Sequence, residues 1–368
     1  MKIVCSRNSL LSGLNIVSKA VPNKTTMSIL ECILLETDKD GLTLMSNDME
    51  LGIETRVEAR IETPGAVCLN AAIFFDIVRK LPENDVTIET DASLKTVISC
   101  ERAVFRLMGR SNEEFSYLPD IEKFDPVILS QLTLKDLVRQ TIFSVSVNDN
   151  NKVMTGELLD VNGDRLKMIS LDGHRVSIRN VELKNSYPAK KAIIPGKALG
   201  EIAKILDDSE DAEVMIYITG KHCIFEFGET IVVSRLIDGE FFKIEQLLST
   251  DYETKLTIRK KEFIECIDRA ILLVREGDKK PVVLDVQDEE LRLRMNSNMG
   301  SMNDELSISK QGKDIQIGFN PRFLIDVLRV IDDEEIDVYM VNQKAPCFIK
   351  DSAESYIYMI LPVNLPME

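Results

Sequence analysis

The sequence predicts an α+β protein built from three consecutive copies of one domain, each with two helices packed on antiparallel sheet. Three observations predict it. A helix-like segment recurs three times, a hairpin-like segment recurs in step with it, and short alternating runs fill the intervals. The helix-like segments begin at Asn70, Pro195 and Asn320, and each leads through an acidic turn into a strand-like run. Phe74, Leu199 and Phe323 hold the matching place, with separations 199 − 74 = 125 and 323 − 199 = 124. So long a period marks copies of a whole domain rather than a solenoid of small units.

Each copy opens with a strand and an amphipathic helix. In the first, Leu10, Leu14, Val17 and Val21 fall on one helical face, and Pro22 closes the helix. In the second, Thr133 is the expected N-cap with Asp136 three residues on, and Leu134, Leu137 and Val138 face inward. In the third, Phe263, Ile267, Ile271 and Val274 form the stripe. A hairpin follows in each copy: Ile33-Leu34-Leu35 with Leu42-Thr43-Leu44, Leu158-Leu159 with Leu166-Lys167-Met168, and Val282-Val283-Leu284 with Leu291-Arg292-Leu293. Their connections are Asp- and Asn-Gly-rich, as hairpin turns require. The second helix of each copy is the segment quoted first, and Asn320 before Pro321 is a strong start signal. Runs such as Val97-Ile98-Ser99-Cys100 and Ile231-Val232-Val233-Ser234 supply the remaining strands. Domain edges near Pro126 and Asp251 give domains 1–125, 126–250 and 251–368, each of ordinary domain size.

Composition sets limits. The chain has 368 residues, is 44% hydrophobic and carries a formal charge of −16. No apolar run is long enough to span a bilayer, and the opening Met1-Lys2-Ile3-Val4 is strand-like rather than a signal peptide. Seven cysteines without a Cys-x-x-Cys pair read as reduced, buried thiols of a cytoplasmic protein. The negative charge argues against nucleic acid unless the cations are segregated. The helical segments do carry cations, among them Arg79, Lys80, Lys135, Arg139, Lys197 and Lys204, while acids gather in turns and strands.

Signals for chemistry are few. The two histidines, His174 and His222, lack metal-ligand spacing, and no phosphate-binding glycine loop or nucleophile elbow occurs. The acidic clusters at Asp207-Asp208 and Asp332-Asp333-Glu334-Glu335 recur at equivalent turns, which favours solvated turns over Mg²⁺ ligands. No metal and no cofactor is expected. The segment Leu171-Asp172-Gly173-His174-Arg175-Val176 stands apart from its counterparts. It fits a plain turn between strands, a binding surface, or a catalytic pair of Asp172 and His174.

The triple repeat, the stretch Ser170 to Arg175, Leu236-Ile237-Asp238-Gly239-Glu240-Phe241, Ile317-Gly318-Phe319-Asn320 and the tail Tyr356 to Pro362 are together similar to one family. The chain resembles the β subunits of bacterial DNA polymerase III, the DNA sliding clamps, over essentially its full length. The resemblance implies a non-catalytic processivity factor of DNA replication, with three clamp domains per chain. Two chains would close head to tail as a homodimeric ring around double-stranded DNA, held without sequence preference. It further implies a pocket taking short linear peptides from the replicative polymerase, the clamp loader and repair proteins. By matching position, its walls are Met154, Leu171, Gly173, His174, Arg175 and Val176; Phe242 and Leu247; Asn320 and Phe323; Pro346; and Met359, Ile360, Leu361, Pro362 and Val363. Lys24 and Lys152, in loops, join the helical cations as expected DNA contacts, and Phe105 is expected to meet Ile271 and Leu272 of a second subunit. The chain departs from the family at Phe242, where Pro is frequent, and at Gln246 and Asn364, where Arg is frequent.

Overall fold

The computed structural model describes residues 1–38, 41–148, 150–244, 246–248, 251–275 and 280–365. The chain forms two compact units: Met1–Lys135 with Lys197–Leu236, and Asp136–Gly196 with Ile237–Glu368. The middle repeat therefore contributes to both.

In the first unit, an eight-stranded antiparallel sheet runs Val127–Ser130, Glu213–Ile218, His222–Phe227, Thr230–Arg235, Leu51–Val57, Leu42–Asn47, Cys32–Thr37 and Ala66–Asn70. The join between first and middle repeats is main-chain pairing of Thr230–Arg235 with Leu51–Val57, from Thr230 opposite Thr55 to Ser234 opposite Leu51. At that join the buried hydroxyls of Thr55 and Thr230 meet at 2.8 Å, which satisfies two polar groups that burial would otherwise penalise. A five-stranded sheet, Arg60–Thr63, Lys2–Ser6, Asp85–Thr90, Lys95–Cys100 and Ala103–Met108, completes the strands.

Helix α1 (Arg7–Val17) and helix α2 (Ala71–Lys80) pack on each other. Ser6 Oγ accepts from the N–H of Ser9, and Asn70 Oδ1 from that of Ile73, so both starts are capped. Leu10, Leu14, Val17 and Phe74 are fully buried. At Gly13, a Cβ would meet Val57 Cγ2 at 2.5 Å, so α1 lies closer to its sheet than any larger residue permits. The helix ends at Val17 and tightens into a 3₁₀ turn, Ser18–Ala20. Val21 is consequently extended and not on the helical stripe.

Helix α3 (Gln131–Thr141) starts earlier than its sequence suggests. Ser130 Oγ, not Thr133, caps it, accepting from the Thr133 N–H at 3.0 Å. Leu134, Leu137 and Val138 are buried as expected. Helix α4 (Gly196–Ile202) has only seven residues and gives way to turns.

In the second unit, a seven-stranded sheet runs Gly156–Leu171, Arg175–Pro195, Tyr356–Ile360, Cys347–Lys350, Glu335–Met340, Thr254–Arg259 and Ser309–Gly312. A four-stranded sheet holds Gly300–Ser307, Glu290–Ser297, Val282–Gln287 and Ile315–Phe319. The Asn162-Gly163-Asp164 turn falls within the element Gly156–Leu171. There a left-handed Gly163, φ +64°, shifts the register and divides the pairing into 156–161 against 190–195 and 165–171 against 176–182. Helix α5 (Lys260–Ile271) and helix α6 (Pro321–Val330) bury Phe263, Ile267, Leu324 and Leu328 in one core with the strands. Val274 lies beyond the end of α5.

Burial also corrects the repeat alignment. Counting from the cap of each second helix, the fourth helical residues are Phe74, Leu199 and Leu324, at 0%, 0% and 2% exposure and at intervals of 125. Phe323 stands one position earlier and is only half-buried.

All seven cysteines are free and buried. Burial pushes the thiols of Cys5, Cys68 and Cys266 up to about 12, which keeps them protonated and unreactive. No helix among the described residues is long and apolar enough to cross a membrane.

Among the described residues of the second unit one carboxyl group is buried. Glu157 is fully buried, and Thr141 Oγ1 bonds both its Oε2, at 2.5 Å, and the Leu137 carbonyl, at 2.7 Å. A hydroxyl has one proton to give, so the consistent arrangement has a protonated Glu157 donating to Thr141, which donates to Leu137. Burial raises its pKa from 4.5 to about 8. The folded chain thus keeps a proton that the unfolded chain releases near the ordinary carboxylate value. Stability contributed at this site falls as pH climbs through that window and levels off above it. Glu157→Gln is expected to melt at the wild-type temperature near pH 4 and several degrees higher at pH 9, measured by differential scanning calorimetry. Equal melting at both pH values would contradict a neutral Glu157.

Candidate functional site

The second unit gathers the predicted pocket residues around the turn at 172–174. Gly173 takes φ +88° with nothing within 4 Å of an added Cβ, a backbone shape suited to glycine in open space. Asp172 Oδ1 accepts from the backbone N–H groups of His174, at 2.9 Å, and Arg175, at 3.2 Å. This turn delivers Arg175, almost buried, to three partners. Its Nε donates to Asp172 Oδ2 at 2.9 Å, Nη1 to Asp326 Oδ2 on α6 at 2.7 Å, and Nη2 to the Phe143 carbonyl. The guanidinium also lies over the Phe323 ring, 4.2 Å from its centroid, a geometry worth about 0.5–2 kcal/mol. The His174 ring stacks on Phe323 at 6.3 Å and 29°.

The tail runs beside this cluster. Arg175 pairs with Ile360 and Val176 with Met359 in the sheet. Beyond the strand, the Leu361 N–H donates to the His174 carbonyl at 2.8 Å, and the Val363 N–H to the Gly318 carbonyl at 2.8 Å. Tyr358 donates its hydroxyl proton to the Phe323 carbonyl at 3.0 Å. Beneath lies an apolar cluster in which Leu171, Val176 and Met359 are buried with Ile178, Ile244 and Phe348, and against which Met154 and Phe241 pack. Above it, Phe242, Leu247 and Leu361 are 39%, 48% and 36% exposed. Pro346, Pro362 and Val363 are half-buried. Asn320 is occupied as the α6 cap, its Oδ1 accepting from the Arg322 N–H. An apolar floor with exposed apolar side chains and a few fixed polar groups suits capture of an extended ligand.

As a catalytic pair, Asp172 and His174 do not fit. The Asp172 carboxylate is engaged by backbone N–H groups and Arg175 rather than by the imidazole. Among the described residues no group of three or more His, Cys, Asp or Glu side chains is placed to hold a metal ion. Sequence reasoning passed over Asp326, Phe241 and Ile244. Asp326 follows Phe323 by three residues on α6, the spacing that puts two side chains on one helical face, and that spacing was the available signal.

The basic residues expected to meet DNA divide into two classes. Arg79 pairs with Asp76, Lys135 with Asp208, Lys197 with Asp48 and Lys204 with Glu201 in the first unit. In the second unit, Arg139 pairs with Asp136 and Asp332. The acidic turns at Asp208 and Asp332 are therefore counter-ion sources, not merely solvated turns. Lys24, Lys80 and Lys152 are exposed and have no ion-pair partner among the described residues. Phe105 lies on the strand Ala103–Met108, at the edge of the five-stranded sheet, with Val104, Phe105 and Met108 at 47%, 38% and 67% exposure. In the other unit Ile271 is half-buried and Leu272 is 76% exposed.

Three consecutive family models match the chain: DNA polymerase III beta subunit N-terminal domain over 1–119, central domain over 128–243 and C-terminal domain over 245–364. The chain is 30% identical to a beta sliding clamp of Staphylococcus aureus over 375 residues, covering 99% of each. A crystal structure assigned as a DNA polymerase III beta subunit from Eubacterium rectale superposes with TM-score 0.95 at 59% identity, covering 99% of this chain and all of that one. The DNA polymerase sliding clamp of Bacillus subtilis superposes with TM-score 0.95 at 32% identity, covering 99% of each.

Removing Arg175 leaves Asp172 and Asp326 without their shared counter-ion. Arg175→Ala is expected to destabilise the chain by on the order of 2–4 kcal/mol in urea unfolding, less than for a fully buried pair because Asp326 is 34% exposed. Adding Asp326→Asn should recover part of the loss. A cost below about 0.5 kcal/mol would show that the guanidinium does not organise the turn.

Proposed function

The chain belongs to the DNA polymerase III beta subunit family, the sliding clamps of DNA replication, and from that premise we propose that it closes around duplex DNA as a head-to-tail homodimer. The observation that carries the reading is the match of three consecutive clamp domains along the whole chain. We take the domains as 1–125, 126–250 and 251–368. A sliding clamp performs no chemistry; it tethers its partners to DNA. The edge strands Ala103–Met108 and Gly300–Ser307 have unpaired backbone on one side. Pairing them between two copies, with Phe105 against Ile271 and Leu272, removes two exposed edges and covers exposed apolar side chains. Because the two surfaces differ, the contact is heterologous and closes when its rotation permits.

Sliding requires weak phosphate contacts and no base readout. Lys24, Lys80 and Lys152 are the cations free to supply them, whereas Arg79, Lys135, Arg139, Lys197 and Lys204 must first leave acidic partners. Exchange between an acid and a phosphate keeps each contact shallow, which suits movement along DNA. The apolar pocket of the second unit takes short linear peptides of the replicative polymerase, the clamp loader and repair proteins. The chain works in the cytoplasm, where its reduced thiols are stable.

Loaded onto a nicked circular plasmid, the protein should stay bound through gel filtration and be lost after linearisation. Equal retention on both forms would overturn encirclement. Phe105→Asp is expected to convert the dimer to monomer by light scattering at micromolar concentration. Leu361→Asp should weaken binding of a polymerase-derived peptide at least tenfold in fluorescence anisotropy while leaving the dimer intact; unchanged affinity would reject the pocket.

A further inference from the structure

The strand pairings that join consecutive repeats share one register. Gly52 faces Val233 as Val176 faces Met359, and just beyond, the Arg235 N–H donates to the Glu50 carbonyl as the Leu361 N–H does to the His174 carbonyl. The turns match as well: Asp48 Oδ1 accepts from the N–H groups of Glu50 and Leu51, as Asp172 Oδ1 does from those of His174 and Arg175. His174 therefore maps to Glu50, Arg175 to Leu51 and Leu361 to Arg235.

Glu50 and Arg235 line a cavity of about 230 Å³, together with Met49, Tyr117, His222 and Val233. One wall is the segment after Phe115, fastened where Asn47 Nδ2 donates to the Ser116 carbonyl at 3.0 Å. Its floor is Leu118, seated so tightly on Gly52 that an added Cβ would lie 2.0 Å from Leu118 Cδ2. Met49 and Tyr117, 49% and 44% exposed, flank the mouth. Small-ligand sites run to about 300–1,000 Å³, so this cavity admits one bulky side chain.

Its chemistry differs from that of the second-unit pocket. Where that pocket has Leu361 and His174, this one has Arg235 and Glu50. The Leu236 N–H donates to the Lys221 carbonyl, and Arg235 pairs across the ladder with His222, so the basic groups lie together at the strand ends. Burial, then Arg235 and Lys221, hold His222 below its ordinary pKa, leaving the positive charge on the other two. Lys221 and Arg235 are exposed, and neither has an acidic partner among the described residues. They are neighbouring free cations in a chain of charge −16. Glu50 is the one acid lining the cavity.

We propose that this cavity is a second peptide-docking site, for an acidic linear segment of a partner protein that carries one bulky apolar side chain. The apolar group enters between Met49, Tyr117 and Val233, and carboxylates meet Lys221 and Arg235. The proposal rests on reading the second-unit pocket as a peptide site, and it predicts a partner preference distinct from that pocket's.

The test uses the full chain and a fluorescein-labelled peptide, Asp-Glu-Phe-Glu-Asp, in fluorescence anisotropy. Binding should weaken at least tenfold in Arg235→Glu and in Met49→Asp, and should fall with added salt. Leu361→Asp, in the other pocket, should leave it unchanged. Loss in Leu361→Asp with none in Arg235→Glu would move the peptide to the second unit and overturn the proposal, as would absence of binding. Equal competition by a single-stranded oligonucleotide of matched charge would mark a phosphate site and overturn it too. Failure of the second-unit pocket would appear separately, as unchanged polymerase-peptide affinity in Leu361→Asp.

Discussion

Antiparallel pairing between the end strand of one repeat and the fourth strand of the repeat before it is the interaction on which the rest depends. Each repeat alone would present an unpaired sheet edge on both sides, with its row of unsatisfied N–H and C=O groups. Pairing Thr230–Arg235 with Leu51–Val57, and Tyr356–Ile360 with Arg175–Pro195, turns separate sheets into continuous ones. The pairing also fixes register, and register decides which side chains reach the surface above each join. Both pockets sit beside such a pairing for that reason.

The two joins carry one geometry and opposite chemistry. At the second, Arg175 is turned inward by Asp172 and Asp326 and covered by Phe323, so the surface left for a ligand is apolar. At the first, the position equivalent to Arg175 is the buried Leu51, and the exposed Arg235 stands where the second has the apolar Leu361. A duplicated backbone thus carries two surfaces of different chemistry. Charge pairing elsewhere follows a similar economy of position. Acidic turns after the second helices pair with cations on the first helices of the same or the preceding repeat, as Asp208 does with Lys135 and Asp332 with Arg139.

Much of the fold was legible in sequence. The period, the inward stripes of Leu10, Leu14 and Val17 or of Leu134, Leu137 and Val138, and the cap Asn320 all appear where local pattern put them. Errors came where a longer-range demand overrode the pattern. Val21 has helical spacing yet leaves the helix, because the chain tightens at Ser18–Ala20 before Pro22. Ser130 displaces Thr133 as a cap because the helix starts at Gln131, whose side-chain amide bonds the Glu213 carbonyl. Of the candidate pocket, the apolar residues were legible by position, while Asp326 and Ile244 were not, since nothing local marks a residue whose role lies in touching a segment far along the chain.

By itself the sequence determined what depends on neighbours a few residues apart: helical stripes, caps, turns, and the repetition of all three at an interval of 125. Only the tertiary structure decided the rest. It placed Leu324, not Phe323, in the core, and so freed Phe323 to take Arg175 and His174 on its ring. It gave most of the helical cations acidic partners and left Lys24, Lys80 and Lys152 without them. The physical reason is range. Backbone propensity acts along the chain, whereas burial and charge pairing depend on which distant segments are brought within a few ångströms, and strand pairing across repeats settles that.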